Sequence, residues 1–343
     1  MAQEAEAGFT MPVTVSAGGM LTHRLQSAAP SATNRAAAFR AVLYPSVKLN
    51  EHWFGFAAVQ VHSTPNFYEQ LNSTERALNT DVLQAYLGYS RSFGTTSVTV
   101  KAGQMSSAFG SFLSRYDDAD NPLIDLPTGY GYYYKPIGVY GLAGVEVDVA
   151  STRADARLQF ANSSPGNPHN LLSPEQHPNL VAGGGYALTR GLRVGASFHR
   201  GPYLNRVNKW LLPGERPEDS PGTGAGVDVQ WARGRLSTNG EWQRFYFDYP
   251  RVPAAIGSFG YAEAKVILTP RLYAAVRAGY QTYNLYNPSR QSYEVALGYR
   301  PNRLQLIKVG YLAVSGDRVR GTLQNVLGVQ VVMSIPSLTK AWR

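Results

Sequence analysis

The chain has 343 residues, of which 44% are hydrophobic, and it carries 34 glycines, 22 tyrosines, no cysteine and a formal net charge of +9. No apolar run is long enough for a transmembrane helix. The arginines and lysines are spread singly instead of clustering beside stacking aromatics, so the positive charge does not indicate nucleic-acid binding.

The N-terminal stretch MAQEAEAGF lacks the apolar core of a signal peptide. It is typical of a mature secreted protein with an added methionine. We therefore expect a cell-envelope protein whose signal peptide has been removed, and the absence of cysteine agrees with that compartment.

Apolar and polar residues alternate along nearly the whole chain. VEVDV at 145–149, ADARLQF at 154–160 and LRVGASFH at 192–199 each place one apolar and one polar row on opposite faces. A period of two predicts β-strands. About sixteen are expected, at 12–24, 36–49, 52–63, 81–93, 96–108, 137–150, 153–163, 179–190, 191–202, 224–233, 235–248, 258–269, 271–283, 291–300, 303–314 and 321–335.

The connections between these strands alternate in length. Short links such as LTRG, LTPR and RPNR separate long ones such as 64–80, 109–136 and 203–223. Short turns at one rim and long loops at the other are typical of a transmembrane antiparallel β-barrel of the outer membrane. The sequence therefore predicts one domain over 1–343, with a barrel over about 12–335 in the bacterial outer-membrane bilayer.

Tyrosine and tryptophan concentrate near the predicted strand ends. Interfacial aromatic girdles explain this position, although aromatic residues also favour strands in general. The residues concerned are Trp53, Tyr89, Trp231, Trp242, Tyr246, Tyr280, Tyr299 and Tyr311.

A sixteen-stranded barrel is too wide for wall side chains to fill, so its lumen should hold water. Strand parity turns basic residues inward, with an acidic set that nearly cancels their charge. The predicted pore-wall residues are Arg40, Lys48, Lys101, Arg157, Arg193, Lys265, Arg277, Glu146 and Asp148, with further acids at Asp155, Asp228, Glu241, Glu263 and Glu294.

The third long connection, 109–136, contains SRYDDADNPLIDLPTGYGYYYKP at 114–136 and lacks strand alternation. Long ordered loops are usually functional. Its place after the fifth of about sixteen strands resembles that of the third loop of sixteen-stranded porins, which folds into the barrel and narrows the channel. That resemblance implies an inward-folded constriction here, and its acids would then face the basic wall. The predicted constriction residues are Arg115, Asp117, Asp118, Asp120, Asp125, Tyr130, Tyr132 and Lys135.

Two other interpretations of this loop stay open. Its aspartates could cap turns while its tyrosines join the extracellular girdle. Alternatively, the oxygen ligands of Asp117, Asp118, Asp120 and Asn121 could bind calcium, although their spacing is not that of an EF-hand.

GQMSSAFGSF at 103–112 resembles the strand-end motif that precedes the third loop in the phosphate-selective porin O and P family. NEHWFGFAAVQVHS and RYDDADNPLIDLP resemble uncharacterised porin-like proteins of the Acidobacteria. These resemblances imply a passive channel for small hydrophilic solutes or ions. The aspartate-rich loop departs from the clustered arginines and lysines with which that family binds phosphate, and the chain continues past its last strand into SLTKAWR.

The resemblance also leaves a homotrimer open, packed through the first and last strands. The rival functions are a closed barrel acting as a surface-structural or adhesin protein, and a rim-sited hydrolase. Six histidines occur without a GxSxG, HExxH or CxxC motif. We therefore predict no enzyme, no catalytic residue, no cofactor and no metal, and single out His52, His62 and His199 as lumenal.

Overall fold

The computed structural model describes residues 12–25, 35–64, 76–127, 129–130, 141–161, 179–202, 214–216, 219–248, 253–284, 289–316 and 325–336. Each strand pairs antiparallel with its sequence neighbours, and β1 pairs with β16 to close the barrel. The strands are β1 Val13–Arg24, β2 Arg35–Lys48, β3 Trp53–Thr64, β4 Ala77–Phe93, β5 Thr96–Met105, β6 Leu142–Ala150, β7 Ala154–Ala161, β8 Asn179–Thr189, β9 Leu192–Pro202, β10 Pro221–Arg233, β11 Leu236–Phe247, β12 Ala255–Thr269, β13 Leu272–Tyr283, β14 Arg290–Tyr299, β15 Gln305–Gly316 and β16 Asn325–Ile335.

The predicted all-β barrel of about sixteen strands is confirmed. Short turns alternate with long connections, as expected. The largest differences occur where a strand meets a long connection. β4 begins at Ala77, β6 begins at Leu142, and β5 ends at Met105, earlier than its apolar pattern suggested. Alternation sets the face and register of a strand but does not fix where the strand ends. A loop that leaves the wall can continue the same alternation of apolar and polar residues.

β5 ends beside a glycine that the pairing requires. Gly103 has a φ of +141°, and a Cβ at this position would lie 2.3 Å from the carbonyl oxygen of Ala85. A larger residue at this position would push β4 and β5 apart just before the third long connection begins.

The outer face is apolar across several neighbouring strands. Leu297, Val309 and Val329 are paired side by side on β14, β15 and β16, and each is exposed. This row suits contact with lipid, since a closed sheet leaves no unpaired backbone groups to the bilayer. No helix in the described ranges is long and apolar enough to cross a membrane.

The buried residues lie inside the barrel instead of between two layers. Four apolar clusters form where the third long connection meets the inner wall. One of them joins Leu83 of β4 to Tyr261 of β12, which are eight positions apart in the ring of strands. Side chains of the loop therefore bridge opposite walls.

We expect Val309→Arg to destabilise the folded barrel by about 2–4 kcal/mol, because it places a charge on the lipid-facing surface near the middle of β15. Leu78→Arg, at the long-loop end of β4, is the control and should cost about 0–1 kcal/mol. Equilibrium unfolding in lipid vesicles measures both values. Equal costs for the two variants would contradict a bilayer-depth gradient along this face.

Candidate functional site: the third loop and the inner wall

The third long connection leaves the wall after Met105 and turns into a short 3-10 helix at Phe112–Arg115. Phe109 packs against Phe245 with ring centroids 5.3 Å apart, and Phe112 packs against Tyr130 at 5.2 Å. These rings are buried in two separate clusters, and the second cluster joins the start of the described loop to its end.

An ionic chain ties the next segment to β12, β13 and β14. Arg115 donates to Glu263, and Arg277 donates to the same carboxylate at 2.7 Å. Arg277 also faces Glu294 at 3.4 Å. Register explains the wall part, because Glu263 pairs with Arg277 and Arg277 pairs with Glu294 across neighbouring strands.

Two loop aspartates bind another part of the inner surface, on β1 and β2. Asp117 accepts hydrogen bonds from Ser16 and from the Tyr44 hydroxyl, both at 2.5 Å. Asp118 accepts from Arg40 at 2.6 Å and 3.1 Å, which makes a two-point contact. Such paired bonds fix geometry as well as charge.

The loop backbone from Asn121 to Asp125 is held by wall charges. Lys308 donates to the carbonyl oxygens of Asn121 and Leu123 at 2.8 Å and 2.9 Å. The amides of Ile124 and Asp125 donate to one oxygen of Glu294 at 2.9 Å and 3.0 Å. An irregular backbone inside the barrel thereby gains the partners that a strand would otherwise provide.

Tyr130 closes the described part of the loop against β11. Its hydroxyl donates to Glu241 at 2.6 Å and accepts from Gln243 at 2.9 Å. Burial, with Glu241 as the adjacent charge, raises the pKa of the Tyr130 phenol well above its usual range. The phenol therefore stays protonated and keeps donating its hydrogen bond.

The predicted wall bases pair largely with predicted wall acids. Lys101 contacts Glu146 at 2.8 Å and Asp148 at 2.5 Å. Arg193 contacts Asp155 at 2.7 Å and Asp228 at 2.9 Å. These pairs lie on β5–β10, away from the aspartates of the loop.

The remaining wall bases meet other partners. Arg157 donates to the carbonyl oxygen of Gly110, and Lys265 lies 4.6 Å from the ring centre of Tyr273. Lys48 is exposed at the end of β2. Among the predicted loop acids and wall bases, Asp118 and Arg40 form a buried ion pair.

The four loop aspartates, all expected to face the lumen, differ in exposure. Asp118 and Asp125 are buried, Asp117 is half-buried, and Asp120 is exposed. Asp120 lies near enough to Lys265 and Arg300 to interact with their charges. Tyr132 and Lys135 lie outside the described residues.

Several anchors were not predicted from the sequence. Lys308 is fully buried, and Ser16, Tyr44 and Tyr261 each bind a loop side chain. Strand parity could have indicated Lys308 as an inward-facing residue. Lys308 is the one charged residue in LIKVGYL, and alternation places it on the face opposite to Val309.

Within the described residues, His52, His62 and His199 contact carbonyl, carboxylate or amide oxygens and no serine hydroxyl. The Nε2 of His62 lies 2.9 Å from Asp81, and its Nδ1 lies 2.9 Å from the carbonyl oxygen of Ser63. Both ring nitrogens therefore lie beside oxygen atoms that cannot serve as a hydroxyl nucleophile. His199 is buried against Asn179, and His52 contacts the Ser90 carbonyl oxygen.

Comparison with known proteins adds structural relatives. No protein-family model and no curated protein matches the chain. Among solved structures, OmpF of Salmonella typhi in complex with daunomycin aligns with a TM-score of 0.67 at 11% identity, covering 96% of this chain and 98% of that one.

Two further structures agree. The anion-selective porin from Comamonas acidovorans aligns at a TM-score of 0.60 and 8% identity, over 95% of this chain and 99% of that one. The trimer form of the outer-membrane protein OmpT of Vibrio cholerae aligns at 0.59 and 11%, over the same shares. The chain has the architecture of an outer-membrane porin.

This porin-like architecture bears on the resemblances noted in the sequence. This chain shares its barrel fold with the solved porins, and sequence identities this low show the fold alone. The narrower resemblance to the phosphate-selective porins therefore stays an interpretation of the 103–112 motif.

We expect Arg277→Met to loosen the loop, because it leaves Glu263 and Glu294 without their shared cation. Breaking a buried pair in this way typically costs about 3–5 kcal/mol. Amide hydrogen exchange should accelerate at Ile124 and Asp125. Arg200→Met, at an exposed site on β9, is the control, and equal exchange in the two variants would rule out an anchoring role for Arg277.

Proposed function

We propose that the chain is an outer-membrane porin, a single-domain channel through which small hydrophilic solutes or ions diffuse passively, with the third loop as its constriction. The observation that carries this proposal is the loop itself. Its described part crosses the interior and bonds to inward-facing residues of β1, β2 and β11–β15.

Charge exposure supports a water path beside the loop. Lys101, Arg193 and Asp155 on β5–β9 keep 21%, 23% and 39% of their side-chain surfaces exposed. Arg277 and Glu263 on the loop-binding wall keep 3% and 1%. Hydrated charges of both signs would favour polar over apolar solutes, because apolar solutes must displace oriented water.

The ion preference should follow the exposed charges instead of the loop composition. Asp118 is buried and neutralised by Arg40, so its charge adds little to the lumen. Asp120 is exposed and stands beside Lys265 and Arg300. A mixed field of this kind does not commit the channel to anions, despite the net charge of the chain.

Assembly as a homotrimer is part of the proposal. One structural relative is a trimer form. Gly19, a small residue on β1, pairs directly with Val331 of β16. Gly19 has nothing within 4 Å of the position of a Cβ, which leaves room for another surface to approach.

A planar bilayer containing the refolded full chain tests the function directly. We expect stepwise currents that are ohmic in voltage, since a passive water-filled path needs no trigger. A correctly folded barrel that passes no current would overturn the porin assignment and favour a surface-structural role with a closed lumen.

Replacing Asp120 by Asn should shift the reversal potential in a salt gradient toward anion preference, because it removes the exposed negative charge of the loop. Asp219→Asn is the matched control, since Asp219 is exposed on a long connection and pairs with Arg216. Identical reversal potentials for wild type and Asp120→Asn would show that neither Asp120 nor the described constriction lies on the ion path.

A further inference from the structure

The short-turn rim carries an arginine at six successive turns, from β4–β5 to β14–β15. All seven short turns lie in the described part of the chain, and Glu51 is the one acidic residue among turn residues 49–52, 94–95, 151–153, 190–191, 234–235, 270–271 and 300–304. The exposed arginines are Arg91, Arg153, Arg190, Arg233, Arg235, Arg271 and Arg303, and we call this set the rim arginines.

The rim arginines have no acidic partner within the described residues. Strand parity places several of them on the outer face. Arg91 stacks over Phe93 at 5.2 Å, Arg190 follows Leu188 by two residues, and Arg233 follows Trp231 by two. The guanidinium groups of Arg91 and Arg233 therefore lie on the outside of the barrel, and the other rim arginines are exposed at the turns.

Exposed apolar side chains alternate with these arginines around the rim. Phe93 is 57% exposed beside Arg91, and Leu188 is 54% exposed beside Arg190. Leu236, Leu268 and Leu304 repeat the arrangement at the next three turns. A cation beside an exposed apolar group suits a membrane interface, where the apolar group enters the acyl region and the cation stays at headgroup level.

We propose that the rim arginines bind the phosphate groups of anionic phospholipids in the leaflet at the short-turn rim. This inference needs only that the barrel lie in a bilayer, so it goes beyond channel function. The charge of the rim is complementary to an anionic headgroup, and guanidinium donors match phosphate oxygens in a two-point contact. A soluble anion would use the arginines but leave the neighbouring leucines and Phe93 without a role.

Electron spin resonance of spin-labelled lipids tests the proposal in phosphatidylcholine vesicles that contain the full barrel. We expect spin-labelled phosphatidylglycerol to associate with the protein about fivefold more strongly than spin-labelled phosphatidylcholine at low salt. The preference should fall steeply in high salt, because screening shortens the range of headgroup attraction.

Matched triple variants locate the effect. Arg91→Gln, Arg190→Gln and Arg271→Gln together should reduce the preference by at least about half, as three of six turns lose their charge. Lysine at the same three positions should retain more of it than glutamine, because lysine keeps the charge but loses the two-point contact. The control triple Arg35→Gln, Arg200→Gln and Arg244→Gln removes exposed arginines elsewhere on β2, β9 and β11 and should leave most of the preference intact.

Three results would overturn the proposal. Wild-type protein could show no preference for phosphatidylglycerol, or the rim glutamine triple could keep the full preference. Inorganic phosphate could also displace the labelled lipid at constant ionic strength, which would identify free phosphate as the ligand. Should the glutamine triple not fold, the salt dependence of wild type and the lysine triple still decide the question.

Discussion

The structure depends on one constraint, namely that a sixteen-stranded barrel cannot fill its interior with wall side chains. The third loop fills part of that space, and an irregular backbone placed there must find partners for its amides and carbonyls. Glu294 accepts two loop amides and Lys308 binds two loop carbonyls. The buried wall charges therefore have two roles. They pair with one another, and they hydrogen-bond to the loop backbone.

This constraint divides the inner wall into two unequal parts. On β11–β15 the charges are almost fully buried, as Arg277 and Glu263 show. On β5–β9 they pair with each other and remain partly exposed, as Lys101 and Arg193 show. Desolvating a charge is costly unless the charge is fully paired. The buried charges on β11–β15 must therefore keep their loop contacts, whereas the exposed charges on β5–β9 can bind water instead of protein partners.

Period-two alternation was sufficient to predict the number of strands, their order and the side of the wall on which Arg277 or Glu146 lies. It could not predict which wall charges meet the loop, since that depends on the path of an irregular segment across the lumen. The composition of the loop indicated acid facing base, and Asp118 with Arg40 realises it. The burial of Asp125 and the role of Lys308 arise from tertiary packing, which no local pattern encodes.

The location of charge changes the meaning of the basic composition. Inside the barrel, the seven wall bases expected from the sequence equal the seven wall acids in number, so the wall contributes little net charge. The rim arginines have no acidic partner among the described residues and are exposed at the short-turn rim. A net charge of +9 would suggest an anion channel if it were spread over the pore. Seven arginines instead lie exposed at the short-turn rim, where we propose that they act on the surrounding lipid. Under the proposed porin function, selectivity would depend on the few exposed groups inside the barrel, Asp120 among them.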